Sequence, residues 1–291
     1  MMKYGTLVRI PEGEDRERIC TERFSRLRAM GMDACQLVYK PAVYRPEDAD
    51  IIRECAKRYG VEISAQFCGY YDELFTWDTF YDYYLAGMNS PIFGESRIRY
   101  LLSAIPFMER LGVTDMVVHA GFMSNDPFSE SYTRMLSCVK LLGGRLKSRD
   151  MNLLFETGGE SPVAMLRLIR DYGLGNLYVN LDTANLIMYG YGNPVDAMYT
   201  YGKYVRNVHA KDGFPPTDPE TCGKETELGT GFVDFERVIR QLLDVGYERY
   251  LIIERELNGG NGDVEIIKAL NYLKTIVVRQ KREKREKSIG G

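Results

Sequence analysis

The sequence predicts a single-domain α/β protein, a (β/α)8 TIM barrel. Three observations point there. Eight short apolar runs rich in Val, Ile, Leu and Tyr recur along the 291 residues. Helical patterns fall between them, giving strand, loop, helix in repetition. Several runs are apolar without strict alternation, as parallel strands buried on both faces require. The length also suits the fold, which takes roughly 250 residues or more. An open doubly wound sheet is the alternative. The loop after the first run is PEGED, however, and lacks the glycine fingerprint of dinucleotide-binding sheets.

The strands are read as TLVRI (6–10), ACQLVY (34–39), VEISAQF (61–67), DMVVHA (115–120), NLLFE (152–156), LYVNLD (177–182), VRNVHA (205–210) and YLIIE (250–254). The first helix is DRERICTERFSRLRAMG (15–31), closed by a glycine. The second, PEDADIIRECAKRYG (46–60), opens with Pro46 and closes with Gly60. ESRIRYLLSAIPFMERLG (95–112) and SESYTRMLSCVKLLGGRLKSRD (129–150) behave likewise. Ser161 followed by Pro162 reads as an N-cap and first helical residue, and Asp234 as the cap of FERVIRQLLDVG. The glycines of GTG (229–231) read as a turn before that helix.

The barrel is expected over residues 1–278. Within it, residues 69–94 form an aromatic-rich insertion after strand 3 that holds the only tryptophan, Trp77. Such a segment is either a packed surface loop or a lid over the barrel mouth bringing Trp77 to a substrate. Residues 279–291 read as a basic C-terminal tail, the solvated end of the last helix.

Composition bounds the function. The chain carries a net charge of −3 and 45% hydrophobic residues. Its acidic balance disfavours a nucleic-acid surface. Six scattered cysteines form no C-x-x-C pair, so a thiolate metal site is not expected. No apolar run reaches about 18 residues and the first residues show no signal-peptide core, so the expectation is a cytoplasmic protein with no membrane contact.

The last residues of strands 4 to 8 carry the chemistry. They are His119, Glu156, Asp182, His209 and Glu254, each polar on an otherwise apolar strand. In a barrel these ends converge on one mouth. Three carboxylates repel one another in a partly dry pocket unless a cation compensates. Glu156, Asp182, His209 and Glu254 make an oxygen-rich set with one nitrogen. It suits Mn²⁺, Co²⁺ or Mg²⁺, with Zn²⁺ also possible. Singly, each has a plainer reading: a solvated strand end, a cap or a satisfied buried histidine. Their coincidence on adjacent strands is what counts. His119 reads as a substrate contact or as a group orienting a ligand. Lys211, two residues beyond His209 on the same side of the strand, reads equally as a substrate contact or as a salt-bridge partner. Asp212 reads as starting the loop or bracing a neighbour.

At these residues the chain resembles the sugar phosphate isomerase/epimerase superfamily, the xylose isomerase-like TIM barrels. The resemblance covers about residues 4–275. It is densest through VVHAGF (117–122), ETGGE (156–160), LDTANLIMYG (181–190), HAKDG (209–213), ELGTGFVDF (227–235) and IIERE (252–256). It implies that Glu156, Asp182, His209 and Glu254 bind one divalent metal, commonly manganese. It further implies that Glu156 and Glu254 act as base and acid on a sugar or sugar phosphate through an enediolate.

Two positions depart from the ketose 3-epimerases of that superfamily. Asn185 stands where they often carry histidine, and Pro215 where they place an arginine. Asn185 can still bond a hydroxyl, so a sugar site survives without fixing the sugar. A dehydratase of the inosose type is the nearest alternative. An apurinic endonuclease needs a histidine-rich three-zinc cluster that two histidines cannot supply. A silent sugar-binding barrel would have no use for the glutamate pair. Barrels of this kind often pair, which leaves a homo-oligomer open.

Overall fold

Eight parallel strands close into a barrel, built from β1 (Lys3–Val8), β2 (Ala34–Tyr39), β3 (Glu62–Cys68), β4 (Asp115–His119), β5 (Asn152–Glu156), β6 (Leu177–Asp182), β7 (Val205–Ala210) and β10 (Tyr250–Ile253). A short antiparallel pair, β8 (Asp212–Phe214) and β9 (Lys224–Thr226), follows β7. This architecture comes from a computed structural model describing residues 2–70, 85–255 and 262–289. Trp77 and much of the aromatic insertion lie outside the described residues.

The helices are α1 (Arg16–Ala29), α2 (Asp48–Arg58), α3 (Gly94–Leu111), α4 (Glu130–Lys147), α5 (Pro162–Tyr172), α6 (Asn185–Met188), α7 (Pro194–Tyr201), α8 (Phe235–Asp244) and α9 (Gly262–Ile289). Their starts follow capping chemistry. Ser129, Ser161 and Asp234 each accept the backbone N–H three residues on, as Asp15 does for α1. The apolar helix faces and the outer strand faces share one large core. A smaller cluster of Val38, Ala65, Phe67, Val117 and Leu154 fills the barrel interior. Among the described residues, no helix is long and apolar enough to cross a membrane.

The strands β2, β5, β6 and β7 occupy the residues read from the sequence. β1 begins earlier than expected, at Lys3. The cause is tertiary: Lys3 donates its N–H to Arg249 O at 2.8 Å. Gly5 also lies so close to the Ala34 carbonyl that any β-carbon would collide with it. β8, β9 and the short helix α6 had no sequence signal.

Register places the polar strand ends together. His119 pairs with Glu156 across β4 and β5, and Asp182 pairs with His209 across β6 and β7. His209 pairs with Ile252 of β10, and Glu254, just past that strand, donates its N–H to Ala210 O at 3.1 Å, which brings it to the same mouth. The exit of the insertion is tied down next to this mouth. Gly87 bridges to Gly121, and the buried Arg97 donates to the carbonyls of Leu85 and Gly87 at 2.6 and 2.8 Å.

Candidate metal centre

Glu156, Asp182, His209 and Glu254 meet at the C-terminal mouth of the barrel, with one ligand atom from each within 4.8 Å of the others. All four are buried, none more than 4% exposed. Nδ1 of His209 lies 2.9 Å from Glu156 Oε1 and 3.0 Å from Glu254 Oε2. Its other nitrogen, Nε2, lies 2.9 Å from Oε1 of Gln36. Asp182 Oδ1 accepts the backbone N–H groups of Ala184 and Asn185, both at 2.8 Å.

One oxygen of each carboxylate lacks a well-oriented hydrogen bond, although Glu254 Oε2 and Glu156 Oε2 lie near His209 Nδ1 and His119 Nε2. Asp182 Oδ2, Glu156 Oε2 and Glu254 Oε2 are buried without a well-oriented hydrogen bond among the described residues. Buried carboxylate oxygens are costly to leave so. Three such oxygens and an imidazole nitrogen are a donor set that fits a divalent cation.

The electrostatics agree. Burial holds the Asp182 carboxyl well above the usual carboxylate range, with Lys211 opposing and Glu254 and Glu156 reinforcing the rise. Burial would lower the His209 pKa, but the charges of Glu156 and Glu254 outweigh it and raise the imidazole to about 10. Burial would raise Glu254 too, yet Lys211 and His209 hold it well below the usual range. The cluster demands positive charge.

The other expected site residues take definite places. His119 Nε2 sits 3.1 Å from Glu156 Oε2, on the side away from His209. Asn185 begins α6 and is buried, and its side-chain Oδ1 has no hydrogen-bond partner among the described residues. Lys211 is 5% exposed with Nζ 3.8 Å from Glu254 Oε2. Its backbone is fixed by the Thr183 hydroxyl, which accepts from Lys211 N at 3.0 Å and donates to its carbonyl.

Asp212 braces a loop. Its carboxylate accepts N–H groups from Gly213, Gly229, Gly231 and Val233 at 2.9 to 3.1 Å. The amides of the GTG turn are therefore engaged internally. Gly231 is required there, because a β-carbon would collide with the Asp212 carboxylate.

Two residues escaped the sequence reading. Gln36 is fully buried on β2 and touches His209. Phe67 of β3 presents its ring to both histidines, 5.8 Å from each at steep angles. Gln36 left one signal, as the lone amide in the apolar run ACQLVY. Phe67 left none, being an ordinary core residue by type.

A closed parallel barrel with a buried three-carboxylate, one-histidine cluster at its C-terminal mouth defines a class of candidate metal-site barrels. Residues 24–276 match the xylose isomerase-like TIM barrel family, and the chain belongs to it. Its structure is similar to that of a xylose isomerase domain protein from Planctomyces limnophilus, with 24% identity, 97% of this chain and 98% of that one covered, and a TM-score of 0.84. It is also similar to an L-ribulose 3-epimerase, at 16% identity over 99% and 98% of the two chains, with a TM-score of 0.76. In sequence it is 24% identical to an inosose dehydratase of Clostridium botulinum over 143 residues, 44% of this chain and 48% of the relative.

Proposed function

We propose that this protein is a divalent-metal-dependent isomerase or epimerase of a sugar or sugar phosphate. The observation that carries the reading is the set of three buried carboxylates with unsatisfied oxygens around His209 Nδ1. Glu156, Asp182, His209 and Glu254 would hold the ion, with Mn²⁺ the first choice and Co²⁺, Mg²⁺ or Zn²⁺ the alternatives. A divalent cation there supplies Lewis-acid polarisation of a substrate carbonyl, making the neighbouring C–H acidic.

The protein's own groups do the rest. Glu156 and Glu254 project from strands separated by β6 and β7 in the barrel. They can therefore address a bound sugar from two sides, one removing a proton from carbon and the other returning one. His119, beside Glu156, and Lys211, beside Glu254, would contact substrate oxygens. Asn185 offers its unsatisfied Oδ1 to a substrate hydroxyl. Phe67 gives the pocket an apolar floor. Trp77 is proposed to reach the substrate from the insertion. Epimerases among the similar structures support this reading, and the domain is taken as one barrel with a basic tail over 279–291.

A second reading, a dehydratase, draws on the partial similarity to the inosose dehydratase. Both reactions begin with proton removal beside a carbonyl and diverge at the second step, reprotonation in one and loss of water in the other. The test is metal content by elemental mass spectrometry, then incubation of the loaded enzyme with ketoses and their phosphates in deuterium oxide. One ion per chain and a substrate that gains deuterium without losing water support the isomerase. Loss of water selects the dehydratase. An enzyme that takes up no metal after reloading defeats both.

A further inference from the structure

We propose that Gln36 is a positioning residue that fixes the tautomer of His209 and so aims its Nδ1 lone pair at the metal site. The inference rests on the metal reading above and assigns a role to a residue on the far side of the barrel. Gln36 lies on β2, 173 positions before His209. It is fully buried inside the barrel. Its Oε1 stands 2.9 Å from His209 Nε2. Its amide nitrogen is turned the other way, 3.4 Å from Asn180 Oδ1 on β6.

A neutral imidazole carries one N–H, and an amide oxygen only accepts. With Oε1 facing the ring, the proton must reside on Nε2. Nδ1, which donates to Glu156 and Glu254 at 2.9 and 3.0 Å in the metal-free protein, would then be the nitrogen that gives up its proton and turns its lone pair to a cation. A flipped Gln36 amide would reverse this. Its NH2 would donate to Nε2 and push the proton onto Nδ1, among the carboxylates. The Gln36 amide nitrogen instead meets Asn180 Oδ1 at 3.4 Å, so the orientation that serves His209 also gives that N–H an acceptor. Gln36 thus links β6 and β7 across the barrel interior and ends on one ligand atom. Partners of this kind typically change metal affinity about 10–100-fold when removed.

The chain has only two histidines, which makes the test clean. Protein labelled with ¹⁵N at histidine and loaded with diamagnetic Zn²⁺ shows two imidazoles by NMR, and H119N assigns them. The expected spectrum has His209 protonated at Nε2 and metal-bound at Nδ1. Isothermal titration with Mn²⁺ should show Q36M, which keeps the side-chain length but loses the acceptor, binding about 10–100-fold more weakly than wild type. Q36E, which retains an oxygen for the Nε2 proton, should bind within a few-fold of wild type.

Coordination through Nε2 in the loaded wild type, which needs no variant, overturns the proposal. So does a Q36M protein that binds Mn²⁺ like wild type, and in that case the metal reading stands. A wild type that binds no metal removes the metal reading and this proposal together.

Discussion

The barrel buries carboxylates at both ends, and it treats them in opposite ways. At the bottom, Asp115 opens β4 and is 2% exposed. Both of its oxygens are used. Arg206 Nε approaches at 2.8 and 3.0 Å, Arg249 Nη2 at 3.1 Å, and the Asn152 amide donates at 2.7 Å. The Arg206 guanidinium also lies 5.0 Å over the Tyr178 ring. At the top, four residues along the same strand, His119 faces a mouth where three carboxylates share His209 and Lys211, and three oxygens lack a well-oriented hydrogen bond. One end is closed by compensated charge and serves stability. The other is left short of positive charge, with four ligand atoms close enough that they could hold a metal ion. This division sets a charge-poor mouth on a charge-compensated floor in one fold.

The sharpest way to break the contrast is to neutralise the top. E156Q or E254Q should cost turnover about 10²–10⁴-fold in steady-state assays. By calorimetry, metal-free E156Q should melt below metal-free wild type, because the buried His209 imidazolium loses one of its two carboxylate partners. Strong activity in both variants would sink the acid–base assignment, and an unchanged melting point would show that Glu156 carries no charge for His209 in the metal-free protein.

The complementary change is at the bottom. D115A strands two guanidinium groups and should destabilise the fold by about 1.5–3 kcal/mol in urea unfolding. The upper part of the range is discounted, because the Arg206 and Arg249 side chains are 26% and 37% exposed. Turnover per folded molecule should not change, and a D115A enzyme with full stability but impaired turnover would erase the distinction between the two ends.

The gentlest perturbation of the contrast is a change of pH, which acts at the top. In the metal-free protein His209 keeps its proton up to about 10, above its ordinary 6.5. Its stabilising charge is fully present below 6.5 and is lost as pH rises through about 10. A cation must displace that proton, so Mn²⁺ affinity should rise with pH, by up to about tenfold per unit. Titrations from mildly acidic to mildly basic buffer read this directly, and a flat affinity would mean that His209 is already neutral.

Much of the candidate site was legible in the amino-acid order alone. The strand-end residues announced themselves because a charged group closing an apolar run is locally expensive and hence visible. The caps at Ser129, Ser161 and Asp234 were legible for the same reason, since capping acts over three residues. Gln36 was not, because a single amide in an apolar strand does not say which of many interior groups it meets. Nor could the sequence show that the Lys211 ammonium stands 3.8 Å from Glu254 Oε2, which is compatible with either reading of that residue.

By itself, then, the sequence determined the alternation of strands and helices, the polar identity of the strand ends and the ligand chemistry available there. These depend on periodicity and local hydrogen bonding, which operate within a turn or a pleat. Only the tertiary structure decided that β1 starts at Lys3, that Asp212 fills the amides of the GTG turn, and that Gln36 reaches His209. Those outcomes depend on barrel closure and strand register, which bring together residues that no local pattern relates.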